Sequence, residues 1–324
     1  MRPIKVDKEN VWVLDQRLLP TREKWLKIES AEDAYRAIKT MVVRGAPLIG
    51  VVAAYGLALT AKKIKDINEY KKVGEWLKTA RPTAINLMWA VDRILDALKN
   101  DVNFEKAWEE ASKIFNEELE NARKIGENGE PLFKDGDTVL THCNAGALAT
   151  VDYGTALAPL RIAKEKGKNL KVFATETRPV MQGARLTTYE LAKDGFDVTL
   201  IADTAVGLTM MKGYINKVIV GADRVLKDGT TLNKIGTFQV ATLAKRFNIP
   251  FYVALPSSTL DLKSKVEDVV IEERPPEEIF YIKGKRIAPR GIKAFNPAFD
   301  ITPPELITAI ITEKGVYYPP FKFI

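Results

Sequence analysis

The sequence predicts an α/β protein: a mostly helical N-terminal domain, then a C-terminal domain built on a parallel sheet with helices on both faces. Three observations predict it. Up to about residue 125, apolar residues recur mostly at helical spacing. Beyond that point, five short apolar runs alternate with helical stretches. Between the two patterns, residues 126–137 hold Gly126, Gly129, Gly136, Pro131 and several charges, a composition suited to a boundary. The domains are therefore set at 1–128 and 129–324.

Along the chain, 11–14 (VWVL) reads as a short strand. Residues 33–43 have helical spacing and run into the turn Arg44-Gly45-Ala46-Pro47. The run LIGVVAAYGLALTAK, 48–62, is small and apolar on every face, which marks a buried helix. Residues 84–98 and 104–124 read as amphipathic helices. In the second half, strands are expected at 138–143, 170–175, 198–202, 217–220 and 251–255. Helices are expected at 154–165, 184–193, 208–212 and 237–247. The aromatic, Pro-rich tail 317–324 should pack on the surface or on a neighbour.

Bulk properties narrow the function. With 324 residues, 46% hydrophobic and 28% charged, the chain is an ordinary globular one. No stretch is long and apolar enough to span a membrane, and residues 1–10 have no apolar signal core, so a cytoplasmic protein is expected. The net charge of +7 is spread evenly, which argues against a nucleic-acid groove and suits an anionic substrate. One cysteine, Cys143, and one histidine, His142, can form neither an internal disulfide nor a structural zinc site. An all-oxygen magnesium site stays open. There is no Walker A loop and no dinucleotide glycine fingerprint, so ATP and NAD chemistry lack support.

In an open parallel sheet, ligands bind beyond the carboxyl ends of the strands. The five expected ends read His142-Cys143-Asn144, Glu176-Thr177-Arg178, Asp203-Thr204, Gly221-Ala222-Asp223 and Pro256-Ser257-Ser258. All carry reactive or hydrogen-bonding side chains. Cys143 is the candidate nucleophile or base, with a buried structural thiol as the competing reading. His142, its neighbour on a strand, should face the opposite way and serve packing or support. Asp223 is a candidate acid if an apolar pocket encloses it; otherwise it caps a helix or pairs with Arg224. Arg44 and Arg81 lie on tight turns ahead of helices, where guanidinium forks can bind phosphate. Gln182 follows the second strand, and Asn233-Lys234 the fourth; Lys234 suits a phosphate or hydroxyl contact.

Several ordered blocks carry a family resemblance over nearly the whole chain. They are VVRGAPLIGVVAAYG from Val42, RPTAINLMWAVDR from Arg81, LTHCNAGALATVDYGTALAPL from Leu140, ETRPVMQGARLT from Glu176, GADRV from Gly221, NKIGTFQVA from Asn233 and AFNPAFDITPPELI from Ala294. The chain resembles the methylthioribose-1-phosphate isomerases, whose wider family also holds regulatory subunits of the exchange factor for translation initiation. A sister branch, the ribose-1,5-bisphosphate isomerases, is similar in RGAP, RPT, THCN and NKIGT but differs after Cys143-Asn144. The resemblance implies a Rossmann-like C-terminal domain, a homodimer, no cofactor and no metal, and a small sugar phosphate as substrate. It implies that Cys143 and Asp223 are catalytic, and that Arg44, Gly45, Ala46, Arg81, Gln182, Asn233 and Lys234 contact substrate. Two departures stand out: 260–271 is shorter than usual, and Leu232 replaces a small residue before Asn233.

Overall fold

The computed structural model describes residues 1–81, 84–99 and 101–323. By internal contacts the chain divides into two compact units. One comprises Met1–Gly126 with Ala145–Ala158; the other comprises Glu127–Asn144 with Pro159–Ile324.

The first unit opens with an antiparallel sheet of β1 (Ile4–Asp7), β2 (Asn10–Leu14) and β3 (Trp25–Ile28). Of these only β2 was expected, because β1 and β3 are four residues long and part polar. Helices α1 (Ala31–Lys39), α2 (Ala46–Thr60), α3 (Ile67–Lys78), α4 (Ile85–Leu98) and α5 (Phe104–Gly129) follow. Ser30 starts α1 by accepting from the Asp33 backbone N–H, and Asp66 starts α3 by accepting from that of Glu69. Helix α3 was not anticipated. Helix α1 stops at Lys39 rather than 43, since Met41 turns left-handed (φ 57°). Helix α2 is buried from Pro47 to Thr60, as its all-round apolar sequence requires. Each fully buried leucine in it, such as Leu48 and Leu57, contributes about 1.5–3 kcal/mol.

The second unit centres on β4 (Thr138–Thr141), β5 (Lys171–Thr175), β6 (Asp197–Ile201) and β7 (Lys217–Val220), all among the expected strands. Two short strands, β8 (Arg224–Leu226) and β9 (Thr231–Lys234), come next, then β10 (Phe251–Ala254) and β11 (Leu260–Asp261). The hairpin β12 (Tyr281–Ile282) and β13 (Lys285–Arg286) precedes β14 (Phe299–Thr302), β15 (Ala309–Thr312) and β16 (Gly315–Tyr317). Helices α6 (Ala158–Glu165), α7 (Thr188–Lys193), α8 (Val206–Met211), α9 (Thr237–Arg246) and α10 (Glu277–Phe280) intervene.

Among the described residues the main sheet runs β16-β15-β10-β7-β4-β5-β6, with only β16 antiparallel to its neighbour. Numbered along the chain, its parallel strands therefore lie in the order third, second, first, fourth, fifth, sixth. That is the doubly wound, Rossmann-like arrangement, with its switch point between the first strand, β4, and the fourth, β7. A smaller sheet, β11-β8-β9-β14, follows β7 directly. The sixth strand and the smaller sheet were not read from sequence.

Helix α6 starts at Ala158 rather than 154, because Gly154 is left-handed (φ 94°) and a Cβ there would lie 2.5 Å from Gly146 Cα. Residues 183–187 wind as one π-helical turn before α7, where a single helix over 184–193 was expected. The tail lies on the surface, with Tyr318 exposed, and is pinned by Phe321, which is 8% exposed, stacks on Phe323, and fills the space over Gly229, where a Cβ would come 2.1 Å from its ring.

Candidate active site

Strand β4 delivers Cys143 and β7 delivers Asp223, one on each side of the switch point. Leu140 is in register with Val218, so Cys143 and Asp223 leave neighbouring strands at nearly the same level. Cys143 is 8% exposed and left-handed, with φ 63°. A side chain in that region costs about 1–2 kcal/mol, so the surroundings must hold it there. They do so through its backbone. The Cys143 N–H donates to Thr177 Oγ1 (2.9 Å), and its carbonyl accepts from the Thr187 hydroxyl (2.6 Å). Asn144, 3% exposed, donates to Glu190 Oε1 (2.6 Å) and Thr187 Oγ1 (3.1 Å).

His142 plays the supporting part expected of it. Its Nε2 lies 2.8 Å from the Ile235 carbonyl, which can only accept, so Nε2 carries the proton. Nδ1 then accepts from the Thr175 hydroxyl at 2.7 Å. Thr175 Oγ1 lies 3.2 Å from Thr177 Oγ1, the acceptor for Cys143 N–H. This chain ties the thiol turn to the segment after β9. Burial pushes the imidazole below its usual range, so His142 is neutral when folded; the Ile235 carbonyl and Asp203 oppose the shift, and Lys234 adds to it. The stability from that neutral form is complete above 6.5, its unfolded value, and is lost as pH falls below it. His142→Gln should cost about 1–3 kcal/mol near pH 7.5 through imperfect replacement of two buried bonds. The gap to wild type should narrow as pH falls below 6.5, by up to about 1.4 kcal/mol at pH 5.5, as the unfolded wild-type imidazole takes up a proton. Urea unfolding at both pH values checks this, and a constant gap contradicts it.

Asp223 departs from the sequence expectation in one respect: its side chain is exposed, and no apolar pocket encloses it within its unit. Neither alternative assigned to it holds. It precedes a strand rather than a helix, and Arg224 pairs with Asp261 (3.5 Å). The Asp223 N–H donates to the Leu232 carbonyl (2.9 Å), which sets it beside Asn233 and Lys234 on β9. Leu232 is 6% exposed, so the large side chain packs inward. Asn233 donates to Thr237 Oγ1 (3.0 Å), and Lys234 Nζ to the Ala298 carbonyl (3.0 Å). Asp300, opposite Asn233 on β14, accepts from the N–H groups of Gly236 (2.7 Å) and Phe238 (3.1 Å) and so starts α9. Burial pushes its carboxyl up to about 6, against those two donors and Lys234. Gln182, just past β5, is 8% exposed, and its Oε1 has no hydrogen-bond partner among the described residues. A buried amide oxygen of that kind suits a ligand hydroxyl.

Cys143, Gln182, Asp223, Asn233 and Lys234 thus all belong to the second unit, at or beside the carboxyl ends of its strands. Arg44, Gly45, Ala46 and Arg81 belong to the first. There, Gly45 (φ 91°) leads into α2, and a Cβ on it would lie 2.1 Å from the Ala149 carbonyl oxygen. Among the described residues neither α2 nor α4 has a side-chain cap, and Gly50 approaches the Asn86 carbonyl closely, so the two N-termini meet. Uncapped helix starts beside half-buried Arg44 and Arg81 suit a phosphate. Pro82 and Thr83 of the RPT turn lie outside the described residues. Sequence reasoning missed Arg161 and Glu190, both buried behind the thiol turn, and Asp300. The signal for Glu190 was a charge on the buried face of its helix, beside Leu186 and Leu191.

Residues 42–319 match the initiation factor 2 subunit family. The methylthioribose-1-phosphate isomerase of Thermosipho africanus is 55% identical over 321 residues, 96% of this chain and 93% of that one. The chain superposes on the 5-methylthioribose 1-phosphate isomerase of Pyrococcus horikoshii with a TM-score of 0.93 at 42% identity, over 99% of this chain and 93% of that one. It is also similar to the protein described as translation initiation factor eIF-2B, subunit delta, from A. fulgidus, with TM-score 0.91, 48% identity, and 99% and 96% covered.

Proposed function

Because the chain belongs to the initiation factor 2 subunit family, we propose that it converts 5-methylthioribose 1-phosphate into 5-methylthioribulose 1-phosphate in methionine salvage. It is an aldose–ketose isomerase, an intramolecular oxidoreductase that works in the cytoplasm as a homodimer. One observation carries the reading from geometry to chemistry: the lone thiol and a carboxyl group flank the switch point of a doubly wound sheet. A regulatory subunit has no need of that pair.

The substrate sets the problem. Phosphate on its anomeric carbon keeps the ring from opening to an aldehyde. Asp223 gives a proton to the ring oxygen as the ring opens, with bound substrate covering the exposed carboxyl group and supplying the enclosure that this role requires. Carbon 2 then loses hydrogen, either as a proton taken by Cys143 or as a hydride passed to carbon 1, with Cys143 moving protons at oxygen. Lys234 holds the phosphate, and Gln182 and Asn233 fix the sugar hydroxyls. In this reading 129–324 is the catalytic domain, and the substrate-contact roles of Arg44, Gly45, Ala46 and Arg81 in 1–128 rest on the family resemblance.

Turnover of 5-methylthioribose 1-phosphate, 5-deoxyribose 1-phosphate and ribose 1,5-bisphosphate, assayed side by side, tests the reading. The first should lead the second by about tenfold or more in kcat/KM, the scale for one apolar group in a pocket. A lead for the bisphosphate would assign the chain to the sister chemistry. Turnover of none would favour the regulatory reading suggested by the A. fulgidus neighbour.

A further inference from the structure

The turn that carries Cys143 is held from behind by a buried charge. Glu190 on α7 is 0% exposed, and Arg161 on α6 is 7% exposed. Arg161 Nη2 donates to Glu190 Oε2 at 2.7 Å, which leaves Oε1 to accept from Asn144 Nδ2 at 2.6 Å. The same Asn144 amide donates to Thr187 Oγ1 (3.1 Å), and the Thr187 hydroxyl donates onward to the Cys143 carbonyl (2.6 Å). Donor and acceptor directions agree along the whole path: guanidinium to carboxylate, amide to carboxylate, amide to hydroxyl, hydroxyl to carbonyl. Each step is inside the second unit.

A carboxylate without solvent is costly, and an apolar pair of equal volume is often as stable. Packing alone therefore does not account for Glu190. Its placement has a specific effect: it dictates which end of the Asn144 amide faces the helix, and so the orientation of the residue next to the thiol. Arg161 has a second carboxylate partner, Asp194, at 2.8 Å from its Nε. Asp194 is 23% exposed, on the outer side of the guanidinium.

We propose that Glu190 is a positioning residue, which through Asn144 and Thr187 fixes the left-handed turn that aims the Cys143 thiol. The proposal rests on the reading of Cys143 as a group that meets substrate.

Glu190→Gln is the direct test. A glutamine must set an N–H against either Arg161 or Asn144, so one of the two bonds is lost. Two readouts separate positioning from bulk stability. One is kcat against KM with 5-methylthioribose 1-phosphate. The other is the rate of iodoacetamide alkylation across pH, which reports Cys143 alone because the chain has a single cysteine. Glu190→Gln should lower kcat by about ten- to a hundredfold with KM within about threefold, the scale of a displaced catalytic group. It should also change the alkylation rate by about threefold or more. Asp194→Asn, which removes only the outer partner, should lower Tm yet leave both readouts within about twofold. Wild-type kcat and alkylation in folded Glu190→Gln would overturn the proposal. So would an equal loss of kcat in Asp194→Asn. If Glu190→Gln does not fold, Thr187→Val removes the hydroxyl between Asn144 and the Cys143 carbonyl without burying a charge. The same losses are expected there, and wild-type values would overturn the proposal. Alkylation needs no substrate, so altered alkylation beside a wild type that turns over none of the three sugars would sink the isomerase reading and leave the positioning of the thiol standing.

Discussion

Replacing Cys143 with serine is expected to lower kcat on 5-methylthioribose 1-phosphate by at least about a hundredfold, the scale of losing a positioned base or proton carrier. Serine matches the size and reach of cysteine, but an alcohol gives up its proton far less readily than a thiol. The bonds that hold the turn run through the backbone, to Thr177 and from Thr187, and serine leaves them in place. KM should therefore stay within about threefold, a pattern that separates lost chemistry from lost binding. Steady-state kinetics beside a thermal unfolding curve provide the check. Near-normal turnover would remove the thiol from the reaction.

Asp223→Asn should bring a loss of the same size, at least about a hundredfold in kcat. The amide fills the space of the carboxyl group but has no acidic proton to deliver to the ring oxygen. Since the Asp223 side chain is exposed and its backbone is anchored to Leu232, the substitution should disturb the fold little. A folded variant with normal kcat would exclude the carboxyl group as the acid. Substrate deuterated at carbon 2 then distinguishes what Cys143 does. Deuterium fully retained at carbon 1 indicates hydride transfer, whereas washout into water indicates an enolate-like intermediate with the thiol as base.

The elements that were legible in the sequence are those with strong period or run signals. Strands β4, β5, β6, β7 and β10 are short apolar runs, and α2 is apolar on all sides. What escaped has a physical reason. Strands β1, β3, β8 and β9 have three or four residues, too few to show alternation. Strand β15 is buried throughout, but it follows a long irregular stretch and no helical pattern announces it. At the site, Cys143 and Asp223 were found because topology alone assigns meaning to a strand end. The solvent around Asp223 could not be read, because a Gly-Ala-Asp run looks the same enclosed or open. Glu190, Arg161 and Asp300 act through partners between 29 and 64 positions away, and no local pattern encodes such pairings.

Cys143, Thr177 and Met181 all adopt left-handed backbones next to the ends of β4 and β5 (φ 63°, 62° and 62°). Glycine would relieve the backbone there, but at Thr177 it would also leave the Cys143 N–H buried without its acceptor, at about 1–3 kcal/mol. The strained residue at the end of β5 thus underwrites the strained residue at the end of β4, and neither can be relaxed by itself. A hardening campaign has to treat the two positions as one and look elsewhere in the molecule for its gains.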